Sequence, residues 1–274
     1  MILVVKLGGS VLGKAELRRQ LCQQIAQVEG DQHELVVVHG GGKQLTDLSR
    51  RLGDPVVQHQ GRRVTDEATL EAAKMVFSAI NRDLVSELLV AGVLAVGIAS
   101  YDAGLVTCRR RPPVSMTNVD AVGPQSIQQI DFGLVGEVES IDRSVLERFW
   151  KSGFTPVISC LGAGRSGQIF NINADTLAAE LAVALQASRL ISVSDVEGIY
   201  LDVDNPSSCV HQLTAGEAKT FLREGRLTDG MMPKVETALS VLKKGVSVVQ
   251  IVSGLTRNAL VDALDEKAGT TLTS

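Results

Sequence analysis

Short apolar runs alternate with longer amphipathic segments along the chain. The runs are rich in β-branched residues, as expected of strands that are buried on both faces. They lie at Ile2–Val5, Leu35–Val38, Val93–Ile98, Thr155–Ser159, Leu190–Ser194 and Val246–Val252. The segments between them carry apolar residues at helical spacing. These segments predict helices at Lys14–Glu29, Gly42–Leu52, Leu70–Val90 (one helix or two), Thr176–Gln186, Thr214–Glu224 and Val235–Gly245.

The alternation of strands and helices predicts an α/β fold with three layers. A mainly parallel, doubly wound central sheet would lie between two layers of helices. Two shorter runs, Leu105–Cys108 and Val135–Val138, predict a hairpin region that projects from this sheet, and 162–168 is turn-rich. We expect an N-terminal lobe over residues 1–180 and a C-terminal lobe over residues 181–274.

Composition and charge exclude several classes of protein. The formal net charge of the 274 residues is −4, whereas a surface that follows nucleic-acid phosphates needs an excess of Lys and Arg. The one basic run, Arg109–Arg111, precedes two prolines and predicts an exposed loop or hairpin end. The four cysteines form no C-x-x-C pair, which indicates reduced thiols and no zinc site. No targeting signal or membrane-spanning run is recognisable, so we expect a cytoplasmic protein.

Two glycine-rich segments follow directly on predicted strands. They are Lys6–Ser10, which contains the first glycine loop (Gly8–Gly9), and Val38–Gly42, which contains the second glycine loop (Gly40–Gly42). Glycine at the end of a strand lets several N–H groups approach one anion. Neither segment matches the P-loop or the dinucleotide-binding fingerprint. Either loop alone could be a tight turn, but two loops and a lysine favour phosphate chemistry.

A cluster of polar residues precedes the helix predicted at Thr176. In Asn171–Asp175, two amides and a carboxylate occupy alternate positions, so they point to one side if the segment is extended. The alternative is that Asn173 or Asp175 caps the following helix.

Two further segments follow in the second half of the chain. Ser194–Tyr200 closes a strand with an Asp and a Gly that allow a tight turn, on which a nucleotide base or ribose could rest. Leu227–Lys234 opens a helix with Pro233 in its first turn. A cation gains nothing from the helix dipole at that end, so Lys234 is either a solvated lysine or a site residue.

Taken in order, these segments identify the chain as similar to the amino-acid kinase family. Within the family it most resembles the branch that phosphorylates N-acetyl-L-glutamate. The similar segments run almost from end to end: Lys6–Gly9, His39–Gly42, Gly61–Thr65, Gly133–Val138, Asn171–Asp175, Ser194–Gly198, Thr228–Lys234 and Gly269–Thr270.

The resemblance implies transfer of the ATP γ-phosphoryl group to the side-chain carboxylate of N-acetyl-L-glutamate, a step of arginine biosynthesis. It implies that Lys6 and Lys234 stabilise charge and that Asp175 holds them in position. The implied contacts to the acetylglutamate are Gly41, Gly42, Arg63 and Asn171. The implied nucleotide contacts are Gly8, Gly9, Asp195, Val196, Glu197, Gly198, Ile199, Tyr200, Leu227 and Thr228. Mg²⁺ would travel with ATP, without a metal site built by the protein.

The chemistry of these residue types fits that reaction. The enzyme must align two anions and stabilise charge on the transferred oxygens. A carboxylate is already ionised at neutral pH, so no general base is needed. Arg63 can bind a carboxylate through two parallel hydrogen bonds, which a lysine cannot do.

The resemblance also bears on assembly and on the alternatives. It places amino-acid binding and dimerisation in the N-terminal lobe and nucleotide binding in the C-terminal lobe. Arginine-inhibited members carry an extra N-terminal helix that links dimers into a hexamer. This sequence begins at its first strand, so we expect a homodimer that is insensitive to arginine.

Two alternatives to the acetylglutamate kinase function remain: a kinase for aminoadipate or glutamate bound to a carrier protein, and a non-catalytic amino-acid sensor.

Overall fold

The computed structural model describes residues 1–30, 33–59, 61–117, 127–202, 205–227 and 231–274. Its strands are β1 (Ile2–Leu7), β2 (Glu34–His39), β3 (Gln58–His59), β4 (Arg62–Arg63), β5 (Ala95–Ala99), β6 (Val106–Arg110), β7 (Val114–Thr117), β8 (Ile127–Ile130), β9 (Gly136–Ile141), β10 (Thr155–Ser159), β11 (Leu161–Ala163), β12 (Ile169–Asn171), β13 (Arg189–Ser194), β14 (Ile199–Tyr200), β15 (Cys209–Val210), β16 (Gln212–Thr214), β17 (Val248–Ser253) and β18 (Thr270–Thr273). Its α-helices are α1 (Gly9–Leu12), α2 (Ala15–Gly30), α3 (Gly42–Leu52), α4 (Glu67–Val90), α5 (Arg143–Lys151), α6 (Ala174–Ala184), α7 (Ala215–Arg223), α8 (Met232–Lys243) and α9 (Ala259–Leu264).

The central sheet confirms the predicted mainly parallel α/β fold. In the described ranges it contains eight strands in the order β16-β18-β17-β13-β1-β2-β10-β5. The neighbouring strands are parallel, apart from the antiparallel pair β17–β18. The half of the sheet from β5 to β1 comes from residues 1–180, and the half from β13 to β16 comes from residues 181–274. The carboxyl ends of β10, β2, β1 and β13 therefore lie side by side at one edge.

The centre of this sheet is covered on both faces. Residues 3–7 of β1 and 35–39 of β2 are buried at every position, although consecutive side chains of a strand point to opposite faces. Two groups of helices supply the cover: α2 packs against α4 and α9, and α8 packs against α6 and α7. The continuous apolar runs at β1 and β2 are therefore strands that are buried on both faces, as predicted.

The predicted hairpin region forms a second sheet. Strands β6 and β9 pair in antiparallel fashion, but they belong to a four-stranded sheet in the described part of the chain, in the order β12-β11-β6-β9. Strand β11 overlaps the start of the segment predicted as turn-rich, and β12 begins directly after the end of that segment. The two strands have three residues each, and a Cβ at Gly162 would lie 2.5 Å from the Cys108 sulfur, so the chain needs glycine there to pack.

The basic run lies at the exposed end of this hairpin region. Arg109 and Arg110 are the last two residues of β6, so of the two predicted alternatives the hairpin end holds for them and the loop does not. Their side chains are exposed, and each pairs with a carboxylate: Arg109 with Glu137 at 3.3 Å and Arg110 with Asp131 at 2.9 Å. The charges of these two arginines are therefore largely balanced within the protein.

Side-chain caps explain where two helices begin. The carboxylate of Asp66 accepts from the Thr69 N–H at 2.8 Å, so α4 starts three residues before the predicted Leu70 and runs unbroken to Val90. The Asn173 side chain accepts from the Thr176 N–H at 3.0 Å, so α6 starts at Ala174. No helix within the described ranges is both long enough and apolar enough to cross a membrane.

Gly133 joins the second sheet to the segment before α4. It has a left-handed φ of +70°, and a Cβ there would overlap the carbonyl oxygen of Thr65, which accepts from the Leu134 N–H at 2.7 Å. Gly167 has a similar φ of +83° but open space around it.

We therefore expect Gly133→Ala to lower the free energy of unfolding by about 3 kcal/mol, because backbone strain and overlap add. Gly167→Ala should lower the free energy of unfolding by only about 1 kcal/mol, since it adds backbone strain but no overlap with another atom. Urea unfolding of the two variants and the parent chain measures both values. Equal losses in the two variants would show that the Thr65 contact has no structural importance.

Candidate functional site

The two glycine loops meet at the edge where the central strands end. Gly40 N–H donates to the Leu7 carbonyl oxygen at 3.2 Å, and the Gln44 side-chain amide donates to the Gly9 carbonyl oxygen at 2.8 Å. A Cβ on Gly9 would lie 3.2 Å from the Gly42 nitrogen, so the backbones of the two loops are in close contact. Backbone without side chains from both loops therefore meets at this edge of the sheet.

Each loop also opens a helix. Gly8 precedes α1, and its N–H donates to the Val193 carbonyl oxygen at 2.9 Å, which fastens the first glycine loop to β13. Gly41 precedes the eleven-residue helix α3 without any side-chain cap. The first N–H groups of α3 therefore remain available to an anion, and they carry the positive end of the helix dipole.

Lys6 is a charged residue inside a central strand. It is only 6% exposed and pairs through its Nζ with Asp175 Oδ1 at 2.7 Å. Asp175 lies in the first turn of α6, and the start of α6 packs on the second glycine loop, because a Cβ on Gly40 would lie 3.2 Å from Ala174 Cβ. The pair thus stands directly beside both loops. An ammonium group in such a position costs free energy unless it is paired.

Lys234 lies near this pair in the first turn of α8, with Pro233 before it as predicted. Burial lowers the pKa of Lys234, and the positive charge of Lys6 lowers it further, while Asp175 and Asp195 oppose the shift. These four side chains are named here the lysine–carboxylate cluster. Two ammonium groups held within each other's field repel, and an anion placed between them would relieve that repulsion.

Arg63 and Asn171 lie on the side of the second glycine loop and α4. Arg63 belongs to the short hairpin β3–β4, and its guanidinium donates to the Gly42 carbonyl oxygen at 3.2 Å and to the Thr46 hydroxyl. Partial burial lowers the pKa of Arg63 from its usual value. Asn171 ends β12 and donates to the Thr65 hydroxyl at 3.1 Å. The predicted acetylglutamate contacts Gly41, Gly42 and Arg63 are therefore neighbours, and Asn171 lies four residues before Asp175.

The residues of the segment Asn171–Asp175 have different functions. Asn173 is the helix cap that the alternative interpretation suggested, whereas Asp175 pairs with Lys6. The segment is extended only as far as Asn173, because α6 begins at the next residue.

The segment predicted to bind the nucleotide follows β13. Asp195 is exposed and acts on the pKa of Lys234. Gly198 and Ile199 are buried against Thr270, whose hydroxyl accepts from the Ile199 N–H at 2.8 Å. The Tyr200 hydroxyl donates to a Glu197 carboxylate oxygen at 3.3 Å, and Val196 is half-buried in the same turn.

The remaining predicted nucleotide contacts precede α8. Leu227 is buried, and Thr228 lies outside the described residues. Lys234 is the residue of this segment whose pKa responds to the charges of Lys6, Asp175 and Asp195.

A buried polar pair beneath the second glycine loop had no predicted role. His39 Nε2 lies 3.0 Å from Asn81 Nδ2, and His39 Nδ1 lies 3.0 Å from the Gly40 carbonyl oxygen. The sequence contains a signal for Asn81: it lies on the same face of α4 as the buried residues Phe77 and Leu84, where a polar residue needs a partner.

The comparison with protein families agrees with the fold. Residues 1–253 match the amino acid kinase family, and the chain belongs to this family. It is 42% identical to the acetylglutamate kinase of Myxococcus xanthus (strain DK1622), over 97% of this chain and 87% of that protein. It is 38% identical to the acetylglutamate kinase of Symbiobacterium thermophilum, over 97% of this chain and 89% of that protein.

Solved structures share the fold at lower identity. The N-acetylglutamate synthase of Neisseria gonorrhoeae, in complex with coenzyme A and N-acetyl-glutamate, has a TM-score of 0.82 and 24% identity. The match covers 100% of this chain and 59% of the synthase chain, so this chain spans about three-fifths of it. The carbamate kinase of Giardia has a TM-score of 0.71 and 16% identity, over 100% of this chain and 98% of the other. These identities establish the fold alone.

Proposed function

We propose that the chain transfers the γ-phosphoryl group of ATP to the side-chain carboxylate of N-acetyl-L-glutamate, in arginine biosynthesis. The products are ADP and the acyl phosphate N-acetylglutamyl 5-phosphate. The observation that carries the proposal is the Lys6–Asp175 pair at the junction of two bare glycine loops, with Lys234 in its field. The acetylglutamate kinases that match almost the whole chain supply the choice of acceptor.

The two lysines act on the transferred group. In the reaction, a carboxylate oxygen attacks the γ-phosphorus, the bond to the β–γ bridging oxygen breaks, and ADP leaves with that oxygen. Negative charge spreads over the phosphoryl oxygens and the leaving oxygen. Lys6 and Lys234 place ammonium groups on these oxygens, and Asp175 keeps Lys6 oriented while limiting the repulsion between the lysines. No residue needs to remove a proton, because the attacking carboxylate is already ionised.

The second glycine loop and its neighbours bind the acceptor. Gly41 and Gly42, which carry no side chains of their own, present N–H groups to the reacting carboxylate. Arg63, which lies beside Gly42, can bind a second carboxylate through two parallel hydrogen bonds. Asn171 offers an amide on the other side of the acceptor. This division agrees with an N-terminal lobe, 1–180, that binds the amino acid.

The C-terminal lobe, 181–274, binds the nucleotide. Gly8 and Gly9 of the N-terminal lobe approach the ATP phosphates, while the turn Asp195–Tyr200 and Leu227 of the C-terminal lobe line the rest of the nucleotide. ATP brings Mg²⁺, which prefers phosphate and carboxylate oxygens and keeps several waters. The exposed carboxylate of Asp195, next to Lys234, is a ligand of the right chemistry for that ion. An enzyme that draws on ATP and a free amino-acid derivative is expected to work in the cytoplasm.

The chain is expected to form a homodimer through the edge of the central sheet at β5. Each residue of β5 is half-buried, whereas its neighbour β10 is buried throughout. Exposed apolar residues flank this edge, including Leu89, Val90 and Leu94. An open strand edge with apolar neighbours is normally covered by another chain or element.

A panel of acceptors tests the proposed function. With MgATP and a coupled ADP assay, N-acetylglutamate should give turnover at least about a hundredfold above aspartate, carbamate and uridine monophosphate, because Arg63 and the second glycine loop match a dicarboxylate. A carrier-protein-bound glutamate or aminoadipate is included as the closest competitor. Faster turnover of that competitor, or of any other acceptor, contradicts the assignment, and binding without turnover would indicate a sensor.

Substitution of the lysines tests the roles within the lysine–carboxylate cluster. Lys6→Met and Lys234→Met should each lower kcat by about 10²- to 10³-fold, with smaller changes in KM, because each removes charge stabilisation in the transition state. Lys243→Met, at an exposed position on the same helix as Lys234, is the matched control and should retain kcat. A variant at position 6 or 234 that keeps near-normal kcat has no part in the chemistry.

Sedimentation equilibrium tests the homodimer. The parent chain should have about twice the 29.1 kDa mass of the monomer. Leu94→Asp should shift the mass towards the monomer, because it places a charge at the proposed interface. Leu52→Asp is the control, since Leu52 and Leu94 are both 57% exposed, and it should leave the dimer intact. A monomeric parent chain, or a Leu94→Asp dimer as stable as the control, rules this interface out.

A further inference from the structure

His39 stands directly before the second glycine loop but has no part in the chemistry described above. It ends β2 and is fully buried, and Cys160 Sγ donates to its backbone carbonyl oxygen at 3.0 Å. Both ring nitrogens have partners within the protein. A buried imidazole that is hydrogen-bonded at both nitrogens cannot turn freely, so it fixes the orientation of the groups that it contacts.

The partners determine which nitrogen carries the proton. The Asn81 amide nitrogen lies 2.9 Å from the Val157 carbonyl oxygen, which can only accept, so the NH₂ group of Asn81 must face that way. Its second hydrogen then points to His39 Nε2, 3.0 Å away, which has to accept. The proton of the neutral ring is therefore on Nδ1, and Nδ1–H donates to the Gly40 carbonyl oxygen. Burial lowers the pKa of His39 to about 4, so the ring is neutral at assay pH.

Asn81 is itself firmly held. Its side chain is 5% exposed and packs so closely on β5 that a Cβ on Gly97 would overlap its Oδ1. The Asn81 amide thus connects α4 to His39 of β2 and to Val157 of β10. It lies beside Gly97 of β5, which has no side chain. A flip of the Asn81 amide would turn its oxygen towards the Val157 carbonyl oxygen, so the hydrogen bonds keep the NH₂ group directed at Val157 and His39.

The hydrogen bond from His39 orients the next peptide unit. In a trans peptide the C=O and the following N–H point in opposite directions, and no described peptide bond is cis. Because the Gly40 C=O is turned inward to His39, the Gly41 N–H points away from the core. In the described part of the chain, neither Gly41 N–H nor Gly42 N–H donates to a protein acceptor, while the Gly41 carbonyl oxygen accepts from Leu45 N–H at 2.8 Å. The opposite side of Gly41 is closed, since a Cβ there would lie 2.7 Å from Ile80 Cδ1.

We propose that His39, fixed in its Nδ1–H tautomer by Asn81, is a positioning residue that turns the Gly41 N–H towards the reacting carboxylate of the acceptor. The inference rests on the proposed function for the identity of that carboxylate. His39 touches neither substrate. It acts through one peptide unit, so its loss should affect the acceptor and leave the affinity for ATP unchanged.

Two substitutions separate the two ring nitrogens. In His39→Asn, the side-chain amide occupies the place of Nδ1 and can still donate to the Gly40 carbonyl oxygen. In His39→Gln, the side-chain oxygen reaches the place of Nε2 and can still accept from Asn81, but the donor to Gly40 is lost. Both variants remove the ring from the same cavity, so each serves as the control for the packing defect of the other.

We expect His39→Gln to lower kcat/KM for N-acetylglutamate by at least about tenfold and His39→Asn to lower it by about threefold or less, since only the former frees the Gly40 peptide. KM for ATP should stay within about twofold of the parent value in both variants. Equal losses in both variants, or a parallel rise in KM for ATP, would mean that His39 only fills space.

A measurement on the parent chain keeps the inference testable if a variant does not fold. In ¹⁵N-histidine-labelled protein, the ring nitrogens of His39 should show the Nδ1–H tautomer, unchanged down to about pH 5. An Nε2–H tautomer, or a ring that becomes charged above pH 6, overturns the proposal. This result does not depend on turnover. A parent chain that has the expected tautomer but ignores acetylglutamate would refute the proposed function and leave the orientation of the loop intact.

Discussion

The ion pair between Lys6 and Asp175 determines where the site can be. A lysine in the centre of a parallel sheet has no access to water along most of its length, so its ammonium group needs a partner at the open edge of the sheet. Asp175 supplies that partner from the first turn of α6, where its own side chain is 46% exposed. The pair therefore lies at the boundary between core and solvent, where a charged ligand can reach it.

Sheet order brings the other groups to this boundary. Because β13, β1 and β2 are adjacent and parallel, the turns that follow them share one edge, although they are separated by up to about 190 residues in the chain. Glycine is required where these turns touch, as the contact between Gly9 and Gly42 shows. The result is a surface of backbone N–H groups with two ammonium groups behind it, which suits phosphoryl transfer better than any reaction that needs a proton acceptor.

Much of this arrangement could be predicted from the sequence, because it depends on local patterns. The buried strands, the glycine loops and the helix start at Pro233 each leave a mark within a few residues. Strands β11 and β12 leave almost none, since three-residue strands are too short to show a periodic pattern, and β11 also contains a glycine, which is typical of turns. The sequence left Arg109 and Arg110 open between a loop and a hairpin end, because exposed charges are common in both and the partners Glu137 and Asp131 are distant in sequence.

Contacts between distant residues were the least predictable part. The pair of His39 and Asn81 spans 42 residues, and only the polar residue on an apolar helix face hints at it. The approach of Lys234 to Lys6 spans 228 residues and followed from the resemblance to a family, not from any local pattern. Both arrangements depend on how α4 and α8 pack on the sheet, which sequence periodicity alone does not specify.

A crystal structure with ADP, aluminium fluoride and N-acetylglutamate would test most directly whether the two lysines share one anion. The fluoride group, which takes the place of the migrating phosphoryl, should lie within about 3 Å of both Lys6 Nζ and Lys234 Nζ and of an N–H group from each glycine loop. A complex in which only one lysine reaches the fluoride, or in which the group binds away from the Lys6–Asp175 pair, would contradict a shared phosphoryl site.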